Sequence, residues 1–439
     1  MMKHLTIIAL SLLSLGVAAQ EENQFTVDAQ LRTRAEYNNG ATPAPRNEGV
    51  LPATFINERA RMGLGWKRDN LEMKVSMQHT GIWGQDAIAD RNGRVAMNEA
   101  WAKLRFLDSF FVQVGRQQLS YDDERILGGL DWNVAGNWHD ALRFGFEEGA
   151  DKFHVALALN RSANTPRGDL YGGAMPYKDL ELLWYHHDFQ SLPLGISAMA
   201  MNVGRESATA GNSDVKALQT FGVDVNFKPA KWDMHAALYY QMGKNVNDRE
   251  VSSLMASAKV GYQFNPKWTV SLGYDFLNGE DYMAATSTTT GASFVYTSNA
   301  KKTHAFQPLY GTHHKFYGAM DYFYASAFAS NSYMQWAPGL QDLQLGIDFK
   351  PTKMAALSLN YHYFLTASDV LIEDSKALGH EIDLQATLKL QKDVTLMGGY
   401  STFLGTKTMD LVKGGDHERW QDWAFIQLNI NPRIFSAKW

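Results

Sequence analysis

From Phe25 to Tyr37 the chain changes character at every step. Phe25, Val27, Ala29, Leu31, Ala35 and Tyr37 share one parity, with Thr33 the exception, and Thr26, Asp28, Gln30, Arg32, Arg34 and Glu36 share the other. An extended strand sends successive side chains to opposite faces, so this segment has one apolar and one ionic face. The sorting recurs along the chain. Leu71, Met73, Val75 and Met77 alternate with Glu72, Lys74, Ser76 and Gln78; Ile382, Leu384, Ala386, Leu388 and Leu390 alternate with Glu381, Asp383, Gln385, Thr387 and Lys389. A soluble sandwich would bury such apolar faces against a second sheet. A closed barrel in hydrocarbon would turn them outward and enclose the ionic ones.

Connection lengths favour the barrel. Short turns rich in Pro, Asn, Asp and Lys follow Trp66, Phe227, Phe264, Phe349 and Leu390, whereas long polar connections span 38–53, 120–135, 161–176 and 278–340. Strands are expected to begin near residues 25, 55, 71, 97, 110, 138, 152, 178, 194, 216, 231, 253, 267, 341, 354, 378, 393 and 420. A further aromatic stretch, residues 315–324, would reverse the direction of the next strand if it spanned, so it is assigned to the long outer loop. Trp66, Phe106, Phe227, Trp232, Phe264 and Trp268 mark strand ends, as an interfacial girdle does. The fold expected is all-β: a closed antiparallel transmembrane barrel of about eighteen strands, with short periplasmic turns and long extracellular loops. A propeller would show a signature at fixed phase every 40–50 residues, and none recurs.

The N-terminus supplies the address. Lys3 and His4 precede an apolar run, Leu5 to Ala19, that ends in small residues. The run is too short for a spanning helix and has the order of a secretory signal peptide, so residues 1–19 are expected to be removed and residues 20–439 to form the barrel. The chain has no cysteine, which excludes disulfides and thiolate metal sites, and its net charge of −5 gives no reason to expect nucleic acid.

One stretch is more specific than the rest: Val114–Trp132, VGRQQLSYDDERILGGLDW. With Asn57–Leu64 (NERARMGL), His314–Phe323 (HKFYGAMDYF) and Leu378–Leu384 (LGHEIDL) it resembles the outer-membrane alginate export family. Within the first stretch the resemblance rests on Gly115, Arg116, Gln117, Leu119, Asp123, Glu124, Arg125, Gly128, Asp131 and Trp132. The resemblance implies a large monomeric barrel through which an anionic polysaccharide or another hydrophilic solute crosses the outer membrane, with arginines lining the lumen and loops restricting its ends. It implies outer-membrane lipid as surroundings, a polysaccharide or small solute as cargo and a possible periplasmic partner, with no cofactor and no nucleic acid.

Strand parity places Arg32, Arg34, Arg59, Arg61, Lys74, Lys103, Arg105 and Arg143 in the lumen as candidate solute-binding residues, all in the first third of the barrel. Parity puts Asp179, Glu181, Asp224, Asp233, Asp275, Asp342, Asp348, Glu381 and Asp383 there too, opposed clearly only by Lys259 and Lys389. One wall should therefore be basic and the other acidic, although a conduit for a uniform polyanion would be more basic. Arg116 shares the outward parity of Val112 and Val114, so only a bulge or the family resemblance would bring it to the rim or lumen. Asp122, Asp123, Glu124 and Arg125 are candidates for an inward-folded constriction; the same run could equally be a solvated turn with a local ion pair. The pairs His186–His187 and His313–His314 are poor chelates, because neighbours on a strand diverge. An enzyme or receptor built on a barrel is the alternative, but His79, Ser76 and nearby acids are gathered by no catalytic motif, so no enzyme is expected.

Overall fold

The computed structural model describes residues 22–40, 49–85, 95–161, 177–207, 214–287, 291–296, 301–323, 338–370 and 373–439; the expected signal peptide lies outside them. The elements in chain order are β1 (Asn23–Asn39), β2 (Ala53–Arg68), β3 (Leu71–Ile82), β4 (Val95–Phe106), β5 (Phe110–Gln117), β6 (His139–Glu148), β7 (Asp151–Leu159), β8 (Asp179–Asp188) and β9 (Leu194–Glu206). There follow β10 (Val215–Phe227), β11 (Trp232–Lys244), β12 (Glu250–Asn265), β13 (Trp268–Leu277), β14 (Tyr282–Ser287), β15 (Gly291–Tyr296) and β16 (Lys302–Thr303). Then come β17 (Leu340–Thr352), β18 (Ala355–Leu365), β19 (Ala377–Gln391), β20 (Val394–Gly405), helix α1 (Lys407–Lys413), β21 (Gln421–Ile430) and β22 (Arg433–Lys438).

The wall is a closed antiparallel barrel of eighteen strands. It runs β1 to β13 in sequence order, then β17 to β21, and returns to β1. The β14–β15 hairpin forms its own sheet within the connection after β13. The last strand is built in two pieces: β21 pairs with Leu31–Asn39 of β1 and β22 with Gln24–Asp28, interrupted at Pro432. Proline lacks the N–H that a continuous ladder would need there. The aromatic stretch before β17 does not span, in agreement with its assignment to the loop.

The exterior is apolar. Leu104, Leu272, Leu345, Leu384 and Ile426 all present outward, Leu272 with 63% of its surface uncovered. Such a belt is stable only against hydrocarbon. Two expectations fail on the wall of β8. Leu180, Leu182 and Trp184 are buried inward, so Asp179 and Glu181 project outward. The strand is greasy on both faces because its inner face also meets protein, and parity alone picked the wrong one. Arg116 keeps its outward register, without a bulge, and pairs with Asp140 at 2.7 Å on the outer face, beside the long connections.

That inner protein comes from two loops. Residues 118–138, after β5, and residues 304–323, before β17, fold into the lumen. Leu119, Ile126, Leu127, Leu309, Tyr310 and Tyr317 join Leu182, Met201 and Met255 of the wall in one hydrophobic core. The two loops are stitched by backbone bonds: Gly128 N donates to Tyr310 O (3.0 Å), Tyr310 N to Ile126 O (3.0 Å) and Thr312 N to Glu124 O (2.8 Å).

Candidate functional site: the narrowed lumen

In-register pairing of β1 with β2 puts Arg32 directly opposite Arg59. Two guanidiniums side by side need an anion, and the first loop supplies it. Arg59 Nη2 donates to Asp131 Oδ1 at 2.8 Å, and Arg32 Nη1 lies 3.5 Å from Asp131 Oδ2. Arg32 also donates to the carbonyls of Asp131 (2.5 Å), Trp132 (3.2 Å) and Asn133 (3.0 Å). Arg34 lies 4.0 Å over the Trp132 ring, donates to Trp132 O (3.0 Å) and pairs with Glu36 at 2.8 Å. The other face of Trp132 stacks on His314 of the second loop, 4.2 Å between centroids and 4° from parallel. Arg32, Arg34 and Arg59 thus face the interior but are buried beneath the loop.

The acidic wall is met in the complementary way. Arg125 is buried between Asp123 (2.6 Å) and Asp275 of β13 (3.0 Å) and lies 4.0 Å over Phe316. Burial opposes its charge, but Asp275 and Asp123 more than offset that and hold its pKa well above the ordinary value. His235 Nε2 sits 2.6 Å from Asp224 Oδ2 and 3.7 Å from Asp123 Oδ2. His362 lies between Asp342 (2.9 Å) and Asp383 (3.6 Å). Met320 N donates to Glu381 Oε1 at 2.7 Å and Ala319 N to Asp383 Oδ2 at 3.4 Å, so β19 grips the second loop by its backbone. Of the expected acidic wall, Asp224, Asp275, Asp342 and Glu381 are buried under the loops.

The four stretches picked out in the sequence therefore meet in one place. Arg59, from the NERARMGL stretch, holds Asp131 of the DW pair; Arg125 of DER packs on Phe316 and Tyr317 of the HKFYGAMDYF stretch; Glu381 and Asp383 of LGHEIDL hold Ala319 and Met320. The loop that carries Asp122–Arg125 folds inward and is not a solvated turn. Asp122, Glu124 and Leu130 adopt left-handed backbone, with φ of 54°, 73° and 48°, a concentration of strain that persists only where surrounding contacts dictate it. Ser120 Oγ and Gly129 N both donate to Glu124 Oε1. Trp184 Nε1 donates to Asp122 Oδ1 at 2.9 Å, and burial pushes the Asp122 carboxyl up to about 6.

The remaining basic candidates line the lumen towards the short turns. Arg61 donates to Gln78 Oε1 (2.7 Å), Lys74 pairs with Glu99 (2.5 Å), Arg105 with Glu147 (3.4 Å), Arg143 donates to Gln113 Oε1 (2.7 Å), and Lys103 lies 3.8 Å over the Phe111 ring. Sequence reasoning placed Asp131 and Trp132 in a motif but gave them no place in the site. Their signal was available: arginines in register on neighbouring strands require a counter-ion, and no acid on β1 or β2 sits between them. Ser76 points inward and donates to Asn98, whereas His79 has the opposite parity, so these two do not converge. His186 meets Ser197 inside and His187 meets Asp151 outside, so these neighbours diverge across β8.

The loops narrow the lumen without filling it. A cavity of about 680 Å³ lies on the side of β12, β13 and β17–β21, and another of about 520 Å³ lies towards the short turns, lined by Arg61, Lys74, Glu99 and Arg433; Asp131 borders both.

A greasy eighteen-stranded barrel, short turns at one end, long connections at the other and a polar lumen narrowed from within define an outer-membrane channel. Residues 23–405 match the alginate export family, and the chain belongs to that family. The fold is also that of solved porins. OccAB1 of Acinetobacter baumannii shares 11% identity over 97% of this chain and 100% of its own, with a TM-score of 0.60. OprD of Pseudomonas aeruginosa shares 11% over 94% of this chain and 96% of its own, with a TM-score of 0.58, and opdK of the same organism shares 8% over 94% and 99%, with a TM-score of 0.56. No curated protein matches the sequence significantly.

Proposed function

We propose that the protein lets hydrophilic solutes up to oligosaccharide size, acidic sugars among them, diffuse across the outer membrane. The observation that carries this reading is the space left beside the loops: cavities of about 680 and 520 Å³ lie in the lumen, with Asp131 in the lining of both. Of the basic residues expected in the lumen, Arg61, Lys74, Lys103, Arg105 and Arg143 are left to meet an anionic solute, because Arg32, Arg34 and Arg59 hold the first loop. The family name supports acidic polysaccharide as cargo. A thick uniform polyanion fits less well, because the narrowed passage and the acids of the second wall oppose it.

Reconstituted in planar bilayers, the mature chain should give steady conductance with a mild preference for anions. Changing Lys74, Lys103 and Arg105 together to Gln should move the reversal potential towards cation preference. A folded barrel that conducts nothing would sink the channel reading; an unmoved reversal potential would remove the basic vestibule from it.

A further inference from the structure

We infer that the open side of the lumen carries a subsite for uncharged, polyhydroxylated solutes, formed by Ser271, Ser358, Asn360 and Gln385. The inference rests on the channel reading and adds the chemical class that the passage favours.

Placement comes first. Strand register puts Ser271, Gly346 and Asn360 side by side across β13, β17 and β18. Ser358 and Gln385 face each other across β18 and β19 in the neighbouring inward row. All four side chains line the 680 Å³ cavity, a volume in the usual range of small-ligand sites. Gly346 lets two of them converge: a Cβ there would stand 2.5 Å from Ser271 Oγ and 3.0 Å from Asn360 Oδ1. Phe425 and Met397 add apolar surface to the same cavity, suited to the C–H faces of a sugar ring.

The state of the hydrogen bonds comes second. Among the described residues, the side chains of Ser271, Ser358, Asn360 and Gln385 bond to no other group of the chain. The charged groups around the cavity are already engaged: Asp131 with Arg59, Asp383 with His362, and Lys315 with Glu124 (3.6 Å). Among the described residues, Lys259 alone of the lining cations has no acid within ion-pair distance. A solute entering here must exchange water for protein partners, and a polar group that finds none is penalised. Hydroxyls find unspent amides and hydroxyls. A carboxylate finds two lysines, Lys259 and the already paired Lys315, and three acids, Glu124, Asp131 and Asp383.

The test is current blockade in planar bilayers, with the mature chain and two trisaccharides of similar size, maltotriose and trigalacturonate. Maltotriose should block more strongly. Changing Asn360 and Gln385 together to Ala should weaken its block about tenfold, as loss of two neutral hydrogen bonds would. Gly346→Ala gives a second reading, because its methyl group enters between Ser271 and Asn360; it should weaken the maltotriose block severalfold. Stronger block by trigalacturonate, or a maltotriose block that neither change alters, would overturn the subsite. Absence of conductance before any sugar is added would instead be failure of the channel reading.

Discussion

The lumen has two sides built on different chemistry. Along β7–β12 the inner wall carries Ala156, Leu182, Met201, Tyr239 and Met255, all buried beneath Ile126, Leu127 and Tyr310 of the infolded loops. Along β13 and β17–β19 it carries Ser271, Ser358, Asn360 and Gln385 facing a cavity. One side is stabilised as a soluble protein is, by close packing of apolar side chains. The other meets the second loop through Glu381 and Asp383, but its Ser271, Asn360 and Gln385 side chains still face open space.

The sharpest way to break this contrast is at the charge inside the packed side. Arg125→Ala should leave Asp275 and Asp123 buried without their cation and destabilise docking of the loops by about 3–5 kcal/mol. Limited proteolysis should then cut within residues 118–138, and an uncut loop would show that packing alone holds it. Leu127→Ala, at a residue with no exposed surface, should cost about 2–4 kcal/mol by leaving a cavity, measured as a lower urea midpoint in detergent.

The third effect depends on pH. The folded pKa of Asp122, about 6, lies above its ordinary value of 3.8. The docked loop therefore binds the proton more tightly than the free loop does. Docking is favoured at low pH, and stability on the order of 3 kcal/mol is lost as pH rises from about 4 to about 6, with no further loss above. Asp122→Asn should flatten protease susceptibility across that range; a slope that survives the change would show that Asp122 does not set it. The smallest effect belongs to the open side: Ser358→Ala, at a partly exposed cavity residue, should change stability by no more than about 0.5 kcal/mol, read from the urea midpoint, and a larger change would mean that this wall is packed too.

The staves were legible because lipid and water sort residues with period two, and the expected strand starts lie within three residues of those found. The interior was not. Leu119, Tyr121, Ile126 and Leu127 follow no period, so nothing in the sequence distinguished an infolded loop from a solvated one. The clue lay in the wall opposite. β8 and β9 break the alternation, with Leu180, Leu182, Met199 and Met201 turned inward, and a barrel strand that is greasy on both faces must be covered on both. The same break explains why Asp179 and Glu181 were assigned to the wrong face. The arginines were placed inward by parity alone; that three of them hold a loop follows from Asp131, 72 positions away from Arg59 along the chain.

The seam between the first strand and the last piece of wall has a consequence for assembly. Asn23 and Trp439 exchange both backbone hydrogen bonds, at 2.8 and 3.0 Å. The cylinder cannot be sealed until β21 and β22 reach β1, and pairing across so great a sequence separation is slow. Until then the free edge of β1 offers itself to any neighbouring strand. Shortening the chain by its last seven residues would leave that edge half covered and invite polymerisation in place of insertion.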